Sequence, residues 1–316
     1  MSLPKKALIA VPVLAVAVYM LVFFIQYRID DNADLAPNPD YAVEGGSRAV
    51  TMAATLMDLE INKTGWAPNK LWVWPVAHSL NMTAYQKGIQ YAVARWVNEM
   101  SDIVGRDRSS GEADSDLVVA KGKFSYDPTA FILPSAVSQY REGIAALTRY
   151  NRRLAEGQAR YERLASSLAD ILSKIDKDLG SQSATLELTV LGPDDFSDEE
   201  LALLSDGQRT ALSSGGGYFD PRATEVYFAT KGRMYTYYVL LEAMGEDFHD
   251  VLVAKGATEH WAKMLVSLRS GALLYKFFVA NGSTNSYVIP SDLARQGFFL
   301  LRTDKQIQEL IDILNR

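Results

Sequence analysis

The chain contains no cysteine, which excludes a disulfide framework, a thiol nucleophile and any Cys-ligated metal site. Histidine is almost as scarce, with His78, His249 and His260 as the whole supply for imidazole chemistry. There is no G-x-S-x-G elbow, and the one run of glycines, Gly215 to Gly217, is not followed by Lys-Ser/Thr; the signatures of acyl transfer and of phosphate-loop binding are therefore missing. Basic charge is limited too. Of 32 Lys+Arg, three (Lys5, Lys6, Arg28) fall in the first 28 residues, which hold no acid, and the rest of the chain faces 38 Asp+Glu at a formal −9. Such a balance carries no electrostatic footprint for nucleic acid, so no nucleic-acid partner is expected. Charged residues at 22% and hydrophobic residues at 48% still describe a folded protein, and 316 residues suffice for a sizeable core.

Long apolar runs are also lacking, with one exception. From Ala7 to Ile25 no residue is charged, and as a helix of roughly 28 Å this stretch reaches across a hydrocarbon core. Lys5 and Lys6 precede it, and Asp30, Asp31 and Asp34 follow. Positive charge stays on the cytoplasmic side, so the expected topology has the N-terminus inside and the remainder exported. The lipid bilayer, met through residues 7–25, is then the first partner. A cleaved signal peptide is the rival, because Ala15-Val16-Ala17 has the small-x-small form. Cleavage there would leave VYMLVFFI as the mature N-terminus, and length and flanks favour an uncleaved anchor.

Beyond the anchor and cytoplasmic tip (1–28), residues 29–45, with Pro37 and Pro39 among polar residues, read as a stalk without folded structure. A helical region is expected over 46–180. It begins with an amphipathic helix near 46–61 (Val50, Ala53, Ala54, Met57, Ile61), passes an irregular Trp-rich loop, and continues with a helix near 82–104 capped by Asn81. Residues 105–127 read as a surface loop with one short extended piece. The strongest periodicity follows. Leu147, Tyr150, Leu154, Gly157, Tyr161, Leu164, Leu168, Ile171 and Ile175 alternate steps of three and four, an a/d seam that predicts one continuous helix from about 135 to 179, with Gly180 as its C′ residue. Residues 181–220 read as a linker: alternation at Thr185–Leu191, a capping box of Ser197 with Glu200, and the glycine hinge. A C-terminal helical region, 221–316, packs on the first. Asp220-Pro221 opens a helix to about Ala254, Thr258 opens one reaching Phe277, Ser291 caps a third, and Thr303 with Gln306 caps a last.

These residues carry a resemblance. The segments WVWP at 72–75, ILPS at 132–135 with YREG at 140–143, VYFATKG at 226–232, EAMGEDFHDVL at 242–252 and NGS at 281–283 resemble a bacterial family of unknown function, domain of unknown function 2333. The resemblance implies a single-span protein of the Gram-negative inner membrane with its C-terminal part in the periplasm. It supplies no catalytic residue. The central stretch from about Gly180 to Asp220 matches only loosely.

Candidate chemistry is sparse. Glu246 and His249 have the E-x-x-H spacing of di-iron bundles, but neither His260 nor His78 has a Glu three residues before it, so the ligand set is incomplete; His249 is expected on an exposed face and Phe248 in the core. Paired acids such as Glu242 and Glu246 read as solvated surface. No catalytic, metal or cofactor residue is assigned. Trp66, Trp72 and Trp74, with Pro68 and Pro75, could contact glycan, lipid or the bilayer surface, or cap the core. Leu147, Tyr150, Leu154, Tyr161, Leu164, Leu168 and Ile171 form a candidate interaction surface for a protein partner or a second copy, unless an intramolecular helix covers them.

The expected fold is mainly α, an N-terminal transmembrane helix followed by a periplasmic helical bundle with one long coiled-coil-like helix. The expected function is that of a non-enzymatic envelope scaffold or assembly subunit. A periplasmic binding module for lipid or cell-wall fragments is the alternative.

Overall fold

The computed structural model describes residues 12–21, 29–71, 73–106, 113–191, 197–203, 205, 220–276, 279–281 and 291–316. Helix dominates: α1 (Arg48–Asp58), α2 (Leu80–Arg106), α3 (Ser115–Phe124), α4 (Ala136–Ala155), α5 (Ala165–Val190), α6 (Asp198–Leu203), α7 (Pro221–Asp247), α8 (His249–Ala254), α9 (Thr258–Ala272) and α10 (Asp292–Leu314). Among the described residues the β pairing is a single bridge, Asn281 to Ser291. Of the apolar stretch 7–25, residues 12–21 are described, helical and exposed, and the remainder lies outside the described residues. No helix among the described residues is long and apolar enough to cross a membrane.

α1 is buried on every side. Each residue from Ala49 to Asp58 is inaccessible, where the periodicity predicts an amphipathic helix. Alanines admit neighbours closely, and the threonine hydroxyls are satisfied within the helix and its cap, Thr51 and Thr55 donating to the carbonyls of Ser47 (3.1 Å) and Thr51 (2.8 Å). Its N-terminus is tied to the far end of α7. The Asp247 carboxylate accepts from Ser47 Oγ (2.6 Å) and from the amides of Arg48 (2.8 Å) and Ala49 (3.1 Å). Negative charge thus sits on the positive end of the helix dipole.

α2 and α7 form the central pair, and they meet through glycine. A Cβ on Gly88 would stand 2.2 Å from the Ala229 carbonyl oxygen, and one on Gly232 would stand 2.2 Å from that of Tyr85. Backbones approach this closely only where no side chain intervenes. α1, α9 and α5 pack on α7, and α10 lies across α9 and α5. The buried cluster draws on 46–180 and on 221–316 alike, from Leu56, Trp96 and Tyr150 to Tyr237, Leu268 and Leu310.

The long heptad helix is not formed. α4 ends at Ala155, and Gly157, at φ +72°, stands just past the end while the amides of Gln158 and Ala159 return to the Arg153 carbonyl (2.7 and 3.1 Å). Gly157 is a C′ glycine instead of a seam residue. The two pieces part company, α4 packing on α3 and α1, α5 on α10 and α7. Gly180 lies inside α5, which runs on through the Thr185–Leu191 stretch expected to be extended.

Other boundaries shift for local reasons. Part of the expected 105–127 loop is α3, opened by Asp114, whose carboxylate accepts from the Asp116 amide (3.0 Å) and pairs with Arg153 on α4 (2.6 Å). Thr303 caps nothing, donating instead to the Phe299 carbonyl (2.8 Å) within an unbroken α10. α7 stops at Asp247 and α9 at Ala272, both short of the expected ends. The caps at Ser197, Asp220 and Ser291 form as expected, with accepted contacts from the amides of Glu200 (3.3 Å), Arg222 (2.8 Å) and Ala294 (3.2 Å). The glycine hinge at 215–217 lies outside the described residues.

Candidate functional site

Residues 29–45, expected as a stalk without folded structure, are docked against the body through Ile29, Ala33, Leu35 and Tyr41. Ala33 is part of the core, and Ile29, Leu35 and Tyr41 pack on it half-buried. The strap is held by hydrogen bonds from two central helices. From α2, Tyr85 donates its hydroxyl to the Asp30 carbonyl (3.1 Å). From α7, Tyr235 donates to the Asn32 carbonyl (2.8 Å), and Tyr238 shares its one hydroxyl proton between Glu242 Oε1 (3.0 Å) and the Ala33 carbonyl (3.4 Å). Lys231, Tyr235 and Tyr238 are spaced i, i+4, i+7, one stripe along α7. The glycine crossing brings Tyr85 to that stripe, its ring centroid 6.2 Å from that of Tyr235.

Lys231 is the charged member. Its side chain is 3% exposed, and all three ammonium protons are placed: on Asp31 Oδ2 (2.7 Å), on the Ala272 carbonyl (2.5 Å) and on the Leu274 carbonyl (3.0 Å). The two carbonyls are at the C-terminal end of α9, the negative end of its dipole. Burial lowers the lysine pKa, and the bond to Asp31 opposes that shift. One side chain thereby joins strap, α7 and α9.

Beneath the strap lies Glu60, fully buried at the start of the π-helical turn Leu59–Gly65 that continues α1. Oε2 accepts from Gln86 Nε2 (2.8 Å), which also donates to the Gly65 carbonyl (3.0 Å), while Gln86 Oε1 accepts from the Ala67 amide (2.8 Å). Oε1 of Glu60 has no partner among the described residues. Burial lifts its pKa to about 8, with the Gln86 bond opposing and the Asp30 charge adding to the rise. Glu60 is therefore a neutral acid at pH 7. Burial likewise raises the Tyr85 and Tyr235 phenols, and pushes Tyr238 up to about 12. Tyr85, Lys231, Tyr235 and Tyr238 each bind the strap, an arrangement suited to clamping a chain segment. Three surface depressions, near His260 and Glu309, near Glu99 and Lys174, and near Arg48 and Asp247, include none of them.

The sequence-derived candidates divide. Leu147, Tyr150, Leu168 and Ile171 are completely buried, Tyr161 nearly so and Leu154 half-buried, while Leu164, just before α5, is exposed. Most of the seam is thus covered inside the molecule, with Leu164 left at the surface. Trp66 is core, 1% exposed, its indole donating to the Pro128 carbonyl (2.9 Å) and its ring edge-on to Tyr140 at 5.2 Å. Trp72 lies outside the described residues, and Trp74 is exposed. Phe248 is buried and His249 exposed, as expected. Among the described residues no three His, Cys, Asp or Glu gather as metal ligands. The clamp escaped sequence reading, although a lone lysine amid VYFATKGRMYTYYVLL was a usable signal: an ammonium inside an apolar run needs a partner.

A family model described as "Uncharacterized protein conserved in bacteria (DUF2333)" matches residues 26–316, and the chain belongs to that family. No curated protein and no solved structure matches the chain.

Proposed function

We propose that this family member is a non-enzymatic, membrane-tethered module of the bacterial envelope, anchored through residues 7–25 and displaying a helical body on the periplasmic side to protein partners. The observation that carries the reading is the docked strap. A chain leaving a bilayer through a flexible linker would let its domain tumble. Here the residues that follow the apolar stretch are bound to α2 and α7 by Tyr85, Lys231 and Tyr235. Such a join fixes the body relative to its anchor, which serves a scaffold and gives a soluble catalyst no advantage. The lipid-binding alternative loses support, because the aromatic residues that could line a groove on α7, among them Tyr227, Phe228 and Tyr237, are buried in the core.

Two measurements test this. Alkaline phosphatase fused after Arg316 should be active, and a reporter that fluoresces only in the cytoplasm should stay dark; the converse pattern refutes the topology. Glu60→Gln, which removes proton-transfer capacity and keeps the shape, should complement a deletion strain fully. Failure of a stably folded Glu60→Gln protein would identify a catalytic acid and overturn the non-enzymatic assignment.

A further inference from the structure

Two loops carry large apolar side chains into solvent at one place on the molecule. In the first, Leu71, Val73 and Trp74 are 49%, 52% and 51% exposed; in the second, Phe131, Ile132 and Leu133 are 56%, 71% and 89% exposed. The loops are stitched together just behind their tips, Trp66 Nε1 donating to the Pro128 carbonyl and Asn69 Nδ2 to the Ala130 carbonyl (3.1 Å). Six neighbouring exposed apolar residues exceed the scattered singles of an ordinary surface.

What lies nearest identifies their occupant. Ile29 packs on a small cluster of Ala67, Val76 and Met82, the residues that flank the first loop. Ile29 is four residues beyond Ile25, the last residue of the apolar stretch. Four residues span at most about 14 Å in any conformation. The end of the expected anchor is therefore within that distance of the base of the loops. Trp74 suits the boundary, since indole prefers the depth where headgroups meet acyl chains, and Lys70 beside it is exposed to pair with lipid phosphates.

We propose that Leu71, Val73 and Trp74 of the first loop and Phe131, Ile132 and Leu133 of the second insert into the interfacial layer of the bilayer that holds residues 7–25, giving the body a second membrane contact. This rests on the anchored topology proposed above. Anchor, strap and loops then form a tripod that sets the body's attitude, with the α1–α7 junction at Asp247 pointing away. Trp96, which donates to Met244 Sδ (3.3 Å) near that junction, lies about 21 Å along α2 from Met82.

The absence of cysteine provides a clean background for labelling. Val73→Cys, Leu133→Cys and Asp250→Cys variants of the full chain would each receive a nitrobenzoxadiazole probe and be reconstituted into phosphatidylethanolamine–phosphatidylglycerol vesicles. All three positions are exposed, so the core is untouched. Probes at 73 and 133 should shift to the blue and lose about half their emission to lipids bearing a nitroxide high on the acyl chain, whereas the probe at 250 should do neither. A protein that does not float with the vesicles refutes the anchor, and this inference with it. A protein that floats while probes at 73 and 133 behave like the one at 250 refutes the loops alone. A blue shift without quenching also overturns the proposal, since it means that protein, not lipid, covers them.

Discussion

At the scale of single residues, the least expected group is Glu60. An unpaired carboxylate buried this deeply would cost several kcal/mol, and the protein avoids that cost by keeping the acid protonated. The linkage has a definite sign. The folded pKa of about 8 stands above the ordinary value of 4.5, so between these limits the folded state holds a proton that the unfolded state has released. Stability therefore falls as pH rises from about 4.5 to about 8, by up to about 1.4 kcal/mol per pH unit from this group. Glu60→Gln keeps the acceptor for Gln86 and has no proton to lose. Urea denaturation should show the variant gaining on the wild type steadily between pH 5 and pH 8, with no further gain above. A difference that stays constant over that interval would mean Glu60 is not held neutral. No sequence pattern announces this residue. Glu60 stands in LEINKTG like any surface acid, and its burial follows from where α1, α2 and the strap converge.

Elements were legible where the chemistry is local and illegible where packing decides. Ser197, Asp220 and Ser291 accept the amide bonds that their positions predict, because a cap is settled within three residues. The 147–175 seam misled for the opposite reason: its a/d spacing is real, but α4 and α5 spend it on different neighbours once Gly157 turns the chain. The α2–α7 crossing is likewise invisible in sequence, and it is open to direct test. Gly88→Ala places a methyl 2.2 Å from the Ala229 carbonyl and should destabilise by about 3 kcal/mol or more. Gly122→Ala on α3, with nothing within 4 Å of the added carbon, should stabilise by about 0.5–1 kcal/mol. Equal effects on the thermal midpoint would deny the close approach. A second element-level test concerns α5 and α10. Burial and the neighbouring Asp304 carboxyl raise Asp176 to about 6, so this contact weakens as pH climbs from about 4 to about 6. Asp304→Asn should make hydrogen exchange in α10 slower at pH 7 and less dependent on pH across that range; an unchanged profile would show that the two acids do not interact.

For the molecule as a whole, the helical class and the position of the apolar segment could be read from the sequence, but the docking of the strap could not, because its composition is that of a linker. Pro37, Pro39 and four aspartates have the composition of a stalk, and the partners supplied by α2, α7 and α1 make an ordered segment of them. The strap should therefore share the cooperative stability of the core. Peptides covering residues 30–38 are expected to exchange their amide hydrogens as slowly as those of α2, even though none of these residues is helical. Lys231→Met tests the cause. Methionine fills a similar volume, yet it takes the ammonium from the Ala272 carbonyl, leaves the Leu274 carbonyl only the Tyr227 hydroxyl (3.3 Å) and frees Asp31, a loss of charge-assisted bonds worth about 1.5–3 kcal/mol. Exchange over residues 30–38 should then accelerate by roughly ten- to a hundred-fold, while the α5–α10 contact stays as protected as before. Uniform acceleration everywhere would mean that Lys231 supports the core generally, and a strap already fast in the wild type would mean that the body swings freely. Only a local release, confined to the strap and the end of α9, identifies Lys231 as the bolt between strap and body.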